Sequence, residues 1–129
     1  KLINDLLNWM EINQADFTNT FCHLMKIKVD NYQIYKNQDF VNWSNRWQQR
    51  QSINGNTIKK SFELMKITNP TLIPRNHKVE EALSAATEGN YKILNDLLYI
   101  LKKPYDFKEN LRHYYLPSKN KSYQTFCGT

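Results

Sequence analysis

Apolar residues recur at helical spacing in two consecutive segments, and this periodicity constrains the fold more than any other feature of the sequence. In each segment they fall at i, i+3, i+4 and i+7, which is one face of an α-helix. These positions are Val79, Ala82, Leu83 and Ala86 in the first segment and Leu94, Leu97, Leu98 and Leu101 in the second. Gly89 separates the two segments and is the residue type that favours the left-handed end of a helix. The sequence therefore predicts two antiparallel helices joined at Gly89-Asn90.

Prolines delimit this predicted hairpin. Pro70 and Pro74 precede it and restrict the residues before them to extended or turn geometry, and Pro104 follows it. Upstream, the same helical period predicts four further helices, and a polar stretch predicts a loop. The helices are expected at residues 2–12, at 16–26 with Asp16 at the N-terminus, from Asn37 onward and from Ile58 to Ile67, with the loop at Gln51 to Asn56.

The fold class follows from this pattern. Three Gly and four Pro in 129 residues are few for a protein of strands and turns. The sequence predicts an all-α fold of about six helices in a compact bundle, with residues 1–104 as the helical domain. Periodicity fades from Tyr105 onward. Residues 105–129 are expected to be an extended, irregular tail, of which Tyr114, Tyr115 and Leu116 pack back onto the helices.

Trp43 and Trp47 lie one turn apart on the third predicted helix, and the pair has two interpretations. Two indoles at this spacing can stack a base or a nucleotide. Alternatively, they belong to the core, where each indole N–H finds one hydrogen-bond partner. Phe40 extends the same stripe, so the core is the favoured interpretation.

Charge and composition limit the partners. The net charge of +6 permits an acidic partner, but we expect a solvated basic surface rather than a nucleic-acid interface. No apolar run approaches the ~20 residues that span a bilayer, and no signal-peptide pattern is present. Cys22 and Cys127 are far apart and give no disulfide framework or zinc site. We therefore expect a cytoplasmic protein without a membrane partner.

Motifs for phosphate or metal binding are absent from the sequence. Nucleotidyl transfer needs a phosphate cradle and carboxylates for a metal ion, and no Gly-rich phosphate loop or Asp-Phe-Gly motif occurs. His23, His77 and His113 share no spacing typical of metal ligands. We expect no catalytic residue, metal site or cofactor within this chain.

Seven short segments nevertheless share a pattern with a known family. They are Asp16–Phe21, Trp43 with Trp47 and Arg50, Asn69-Pro70, Ile73–His77, Val79–Leu83, Pro104–Asp106 and Tyr123–Thr129. Together they resemble the C-terminal region of the selenoprotein O family, whose members are kinase-like proteins that transfer AMP from ATP to hydroxyl side chains of other proteins. The chain departs from the family at Cys22-His23, where basic residues are common.

The resemblance implies that the chain is the C-terminal portion of a bacterial protein adenylyltransferase. The chain opens at Lys1, already inside an apolar-periodic segment, and we expect it to be a piece of a longer protein. The longer protein would be an enzyme that uses ATP and Mg²⁺ and modifies protein substrates. This portion would be catalytically inert and would pack on the N-terminal kinase-like domain.

The resemblance implies functional roles for three residues of the chain. The family carries cysteine or selenocysteine at the position of Cys127, which implies a redox role, such as a disulfide to the catalytic domain or to a partner. The alternative is an ordinary terminal thiol. Arg75 and His77 are candidates for contacts with the catalytic domain. Alternatively, Arg75 makes a salt bridge or a carbonyl contact inside the proline turn, and His77 bonds the turn backbone or caps the helix.

Two other functional classes stay open. A helical protein-interaction module would bind a partner of unknown identity through an exposed aromatic face. A basic nucleic-acid-binding domain would show affinity that falls steeply with salt. We do not expect nucleic acid to be the partner.

Overall fold

A computed structural model describes residues 1–29, 32–53 and 57–119 of the chain. Within these ranges the structure contains seven α-helices and two 3₁₀ turns, and no strand. The α-helices are α1 (Leu2–Ile12), α2 (Phe17–Leu24), α3 (Gln38–Ile53), α4 (Ile58–Thr68), α5 (Asn76–Thr87), α6 (Lys92–Leu101) and α7 (Arg112–Tyr115), and the 3₁₀ turns are Tyr32–Lys36 and Glu109–Leu111. The all-α prediction is confirmed, and the seventh helix is a single turn that the sequence analysis did not separate.

The chain divides into two compact units. The first is Lys1–Pro70 and contains α1 to α4, and the second begins at Thr71 and contains α5 to α7. The predicted division of the chain at residue 104 stays a prediction.

Aromatic residues form the core of the first unit, because the apolar stripes of α1 and α3 meet there. The ring centroids of Trp9 on α1 and Phe40 on α3 are 4.7 Å apart. Trp43 is buried and donates its indole N–H to the backbone carbonyl of Leu2 at 2.8 Å. Trp47 lies half-buried against this core, with its ring nearly parallel to that of Trp43. The core interpretation of Trp43 is therefore confirmed, including its hydrogen-bond partner.

Of two predicted helix boundaries, one is confirmed and the other is wrong. Asp16 is the N-cap of α2, where its carboxylate accepts the backbone N–H of Asn19 at 2.8 Å, as predicted. The loop predicted to begin at Gln51 is wrong for residues 51–53, because α3 continues to Ile53. Ser52 is accommodated inside the helix by a hydrogen bond from its hydroxyl to the carbonyl of Gln48. The remainder of the predicted loop lies outside the described residues.

The hairpin of α5 and α6 is present as predicted. Gly89 has φ +85°, the left-handed conformation that glycine adopts without steric cost. Its N–H donates to the carbonyl of Ala86 at 3.0 Å, and the next N–H, of Asn90, reaches back to Ala85 at 2.9 Å. These two bonds satisfy carbonyls that the end of α5 would otherwise leave without partners. The chain then reverses into α6, which packs against α5.

Tyr115 holds together the irregular segment that follows α6. Its side chain is 2% exposed. Its hydroxyl donates to the carbonyl of Asp106 at 2.9 Å and accepts the backbone N–H of Lys108 at 3.1 Å. The ring packs edge-on against Phe107. One phenol therefore fixes a stretch of chain that has no regular helix of its own.

Replacing Phe40 by alanine tests the core of the first unit. We expect Phe40→Ala to lower the free energy of unfolding by about 3–5 kcal/mol, because the lost ring leaves a cavity among packed aromatic side chains. Urea unfolding followed by circular dichroism measures this loss. Val41→Ala is the matched control on the adjacent, solvent-facing position, with an expected change of about 0.5 kcal/mol or less. Equal effects of the two variants would contradict this core.

Replacing Tyr115 by phenylalanine tests the anchor of the second unit. Tyr115→Phe keeps the ring but removes the hydroxyl that bonds two backbone groups, so we expect a loss of about 1–3 kcal/mol. Thermal unfolding measures the loss. Tyr99→Phe is the control, because Tyr99 is 67% exposed. A Tyr115→Phe variant as stable as this control would show that the hydroxyl bonds do not hold the segment.

Candidate functional site

An apolar groove of about 500 Å³ opens in the first unit, with α1 along one side. It arises because α1 carries more apolar residues than its packing on α3 can cover. Ile3, Leu6 and Leu7 all line the groove. Leu6 is also buried in the core, whereas Ile3 and Leu7 stay 74% and 43% exposed. The sequence predicts the helix at residues 2–12 but not the groove. The width of the apolar stripe on this helix was a sign of the groove in the sequence. Its apolar surface is wider than one neighbouring helix can cover, because it includes Leu2, Ile3, Leu6 and Leu7.

The other side of the groove is formed by α2 and α4. Phe17 and Phe21 of α2 line it with ring centroids 5.0 Å apart, and α4 contributes Leu64 and Met65. Phe17 is 59% exposed and Leu64 is 63% exposed. Large apolar side chains therefore face solvent on both sides of one concavity.

The base of the groove is aromatic and its polar content is small. Trp43 and Trp47 line it, so the pair predicted from the sequence belongs to the groove as well as to the core. The polar lining side chains are Gln51, Ser61 and Asn69, and none of the described residues that line the groove is charged. A concave and mainly apolar surface of this kind is suited to binding another apolar surface.

Arg75 lies at the start of α5 in the second unit and is turned inward. Its side chain is 9% exposed, and its Nη2 donates to the backbone carbonyl of Tyr115 at 3.0 Å. The structure therefore shows a carbonyl contact of Arg75 with a residue far along the chain. The predicted contact of Arg75 with a further domain stays a prediction.

His77 lies in the first turn of α5, one residue past the helix start, so it is not the N-cap. Its pKa is lowered from 6.5, first because burial disfavours the charged ring and then because Lys78 and Arg75 are positive. Glu81 acts in the opposite direction. Lys78 and Glu81 form an ion pair at 2.7 Å, and hydrogen bonding by Lys78 lowers the pKa of Glu81. The role of His77 in contacting a further domain stays a prediction.

The other residues selected from the sequence lie in unrelated surroundings. Cys22 is completely buried in α2. His23 stacks on Tyr35 with centroids 4.0 Å apart, and His113 lies against Tyr114. Cys127 lies outside the described residues.

The described part of the chain contains no cluster of three or more His, Cys, Asp or Glu residues that could hold a metal ion. Over the same ranges, no helix combines the length and apolar character needed to cross a membrane.

Titration of His77 tests the effects of burial and of neighbouring charges on its pKa. Because the pKa in the folded state lies below the unfolded value, acidification favours the unfolded state. The contribution of His77 to stability is therefore present above pH 6.5 and lost as the pH falls through the folded pKa. We expect Lys78→Gln to raise the His77 pKa and Glu81→Gln to lower it further, as measured by NMR titration of the ring. Shifts in the same direction in both variants would contradict this arrangement.

Curated relatives match almost the whole chain. They include proteins named "protein nucleotidyltransferase YdiU" from Pelagibacter ubique, 45% identical over 130 residues, and Clostridium beijerinckii, 42% identical over 130 residues. A third, from Bacillus cereus, is 40% identical over 131 residues. Each alignment covers 99% of this chain but only 26–27% of the relative. No family model matches the chain, and no solved structure does.

The chain thus spans about a quarter of the length of these curated bacterial relatives. Identity of 40–45% along its whole extent supports common ancestry, as the resemblance predicted. The chain is homologous to one part of the YdiU protein nucleotidyltransferases of the selenoprotein O family.

Proposed function

We propose that this chain is the C-terminal, non-catalytic helical domain of a protein adenylyltransferase and that it packs on the kinase-like catalytic domain of the same protein. The observation that carries the proposal is the 40–45% identity to protein nucleotidyltransferases along 99% of the chain. The physical role of the domain is to complete the fold of the enzyme.

In this proposal, adenylyl transfer takes place in the catalytic domain outside this chain. A hydroxyl oxygen of the protein substrate attacks the α-phosphorus of ATP, and a new O–P bond forms. The bond from that phosphorus to the α,β-bridging oxygen breaks, pyrophosphate leaves, and a base takes the hydroxyl proton. ATP, Mg²⁺ and the base belong to the rest of the polypeptide in this proposal, because the described residues include no metal-binding cluster.

Three finer assignments belong to the same proposal. Cys127 acts as a redox thiol that pairs with the catalytic domain or with a partner, which rests on the resemblance at its position. Arg75 and His77 contribute to contacts with the catalytic domain. The whole protein works in the bacterial cytoplasm, which supplies ATP and a reducing environment for cysteine.

The apolar groove favours a second candidate function. A helical module that binds a separate protein would present a concave apolar surface of this kind. A domain that packs on its own catalytic domain would present the same surface when described alone. The two functions differ in whether the rest of the polypeptide covers the groove.

The first experiment measures the transfer of label from ATP. The longer protein and the 129-residue chain are each incubated with Mg²⁺ and a bacterial extract, with ATP labelled either at the α- or at the γ-phosphate. We expect the longer protein to transfer the α-label and not the γ-label, because adenylyl transfer retains only the α-phosphorus. We expect no transfer by the 129-residue chain.

Other outcomes contradict the proposal in different ways. Transfer of the γ-label would indicate a phosphotransferase. Transfer by the 129-residue chain would place the active site within it. No label on any protein would favour the interaction module.

A further inference from the structure

We propose that the apolar groove of the first unit binds the apolar face of a helix from the part of the longer polypeptide that lies outside these 129 residues. The inference deepens the proposed function by naming the docking surface and the kind of element it receives. It rests on that function only in treating the chain as part of a longer protein.

The groove differs from an ordinary surface in the convergence of its apolar residues. Single exposed apolar side chains are normal on a protein surface, whereas a contiguous set marks a binding surface. Ile3, Leu7, Phe17 and Leu64 come from three helices, are between 43% and 74% exposed and line one concavity. Their convergence indicates that another element covers them.

The lining indicates a protein segment rather than a small molecule. A volume of about 500 Å³ would suit either occupant. Small-molecule sites are also mainly apolar, but they fix the orientation of the ligand with a few precisely placed polar groups. Here the polar lining side chains are Gln51, Ser61 and Asn69, and the amide of Asn69 already donates to the carbonyl of Met65. Recognition would therefore depend on shape and apolar area.

The walls suit a helix. The exposed side chains of α1 and α4 stand on helical surfaces, which present ridges and grooves that a further helix can interlock with. An amphipathic helix would insert side chains at i, i+3 or i+4, and i+7 and keep its polar face towards solvent. An extended strand would instead need backbone hydrogen-bond partners from a sheet edge, and the described residues contain no strand.

The rest of the same polypeptide is the favoured source of this helix. About three quarters of each curated relative lies outside the part that matches this chain. A segment tethered to the groove has an effective concentration in the millimolar range for short flexible linkers, which a free partner rarely reaches. The covalently attached segment therefore has an advantage over a second copy or another protein.

Site-specific photo-crosslinking in the longer protein tests this inference. A benzophenone amino acid replaces Phe17, and the cross-linked peptides are identified by mass spectrometry. The matched control replaces Ile12, which is 81% exposed on α1 and does not line the groove. We expect cross-links from position 17 to one segment outside the 129 residues, within a single molecule, and at least 10-fold less product from position 12.

Every other result overturns the inference. Cross-links from position 17 to a second copy, to another protein or to residues of this chain itself would name a different occupant. A yield no greater than that from position 12 would show that the groove is open. These readouts need no enzymatic activity. If label transfer fails while position 17 cross-links as expected, the proposed reaction is wrong and the docking surface stands.

A substitution supplies an independent measurement in the longer protein. Leu7→Glu places a carboxylate in the groove and Ile12→Glu places one outside it, on the same helix. We expect Leu7→Glu to lower the midpoint of thermal unfolding by more than Ile12→Glu and to speed cleavage of the covering segment by a protease. Equal midpoints and equal cleavage rates would contradict a covered groove.

Discussion

The contact between α1 and α3 is the interaction on which the first unit depends. Trp9 packs on Phe40, and the indole of Trp43 bonds to the carbonyl of Leu2, so the contact combines apolar burial with a directional bond. The bond fixes the register of the two helices, which apolar contact alone specifies weakly. With α1 held in this orientation, its remaining apolar residues, including Ile3 and Leu7, face the groove. The groove is thus a consequence of the core that α1 and α3 form.

The second unit relies more on hydrogen bonds to backbone groups. Arg75 reaches the carbonyl of Tyr115, and the hydroxyl of Tyr115 bonds to Asp106 and Lys108. Small units bury a limited apolar core, so well-satisfied buried polar groups contribute a larger share of their specificity. Irregular chain is therefore fixed here by two side chains. Arg75 acts over a separation of 40 residues, whereas the hydroxyl of Tyr115 bonds groups 7 and 9 residues away. Burial that accompanies this arrangement also lowers the pKa of His77.

Features with a local cause could be predicted from the sequence. The Asp16 cap and the Gly89 helix end depend on a few neighbouring residues, and both are present. Features decided by distant contacts could not be predicted. Nothing near Arg75 in the sequence indicates a partner 40 residues away. Similarly, the apolar stripe of α1 does not reveal which of its residues the rest of the unit covers, so the groove was missed.

The distribution of tryptophan has a practical consequence. The three tryptophans of the chain, Trp9, Trp43 and Trp47, all belong to the first unit. Intrinsic indole emission therefore reports on the first unit alone, whereas the far-ultraviolet signal averages over the helices of both. Coincident transitions by the two optical probes would mean that the units unfold cooperatively, and separated transitions would reveal an intermediate with one unit folded. The native protein thus contains its own spectroscopic label for one half of the chain.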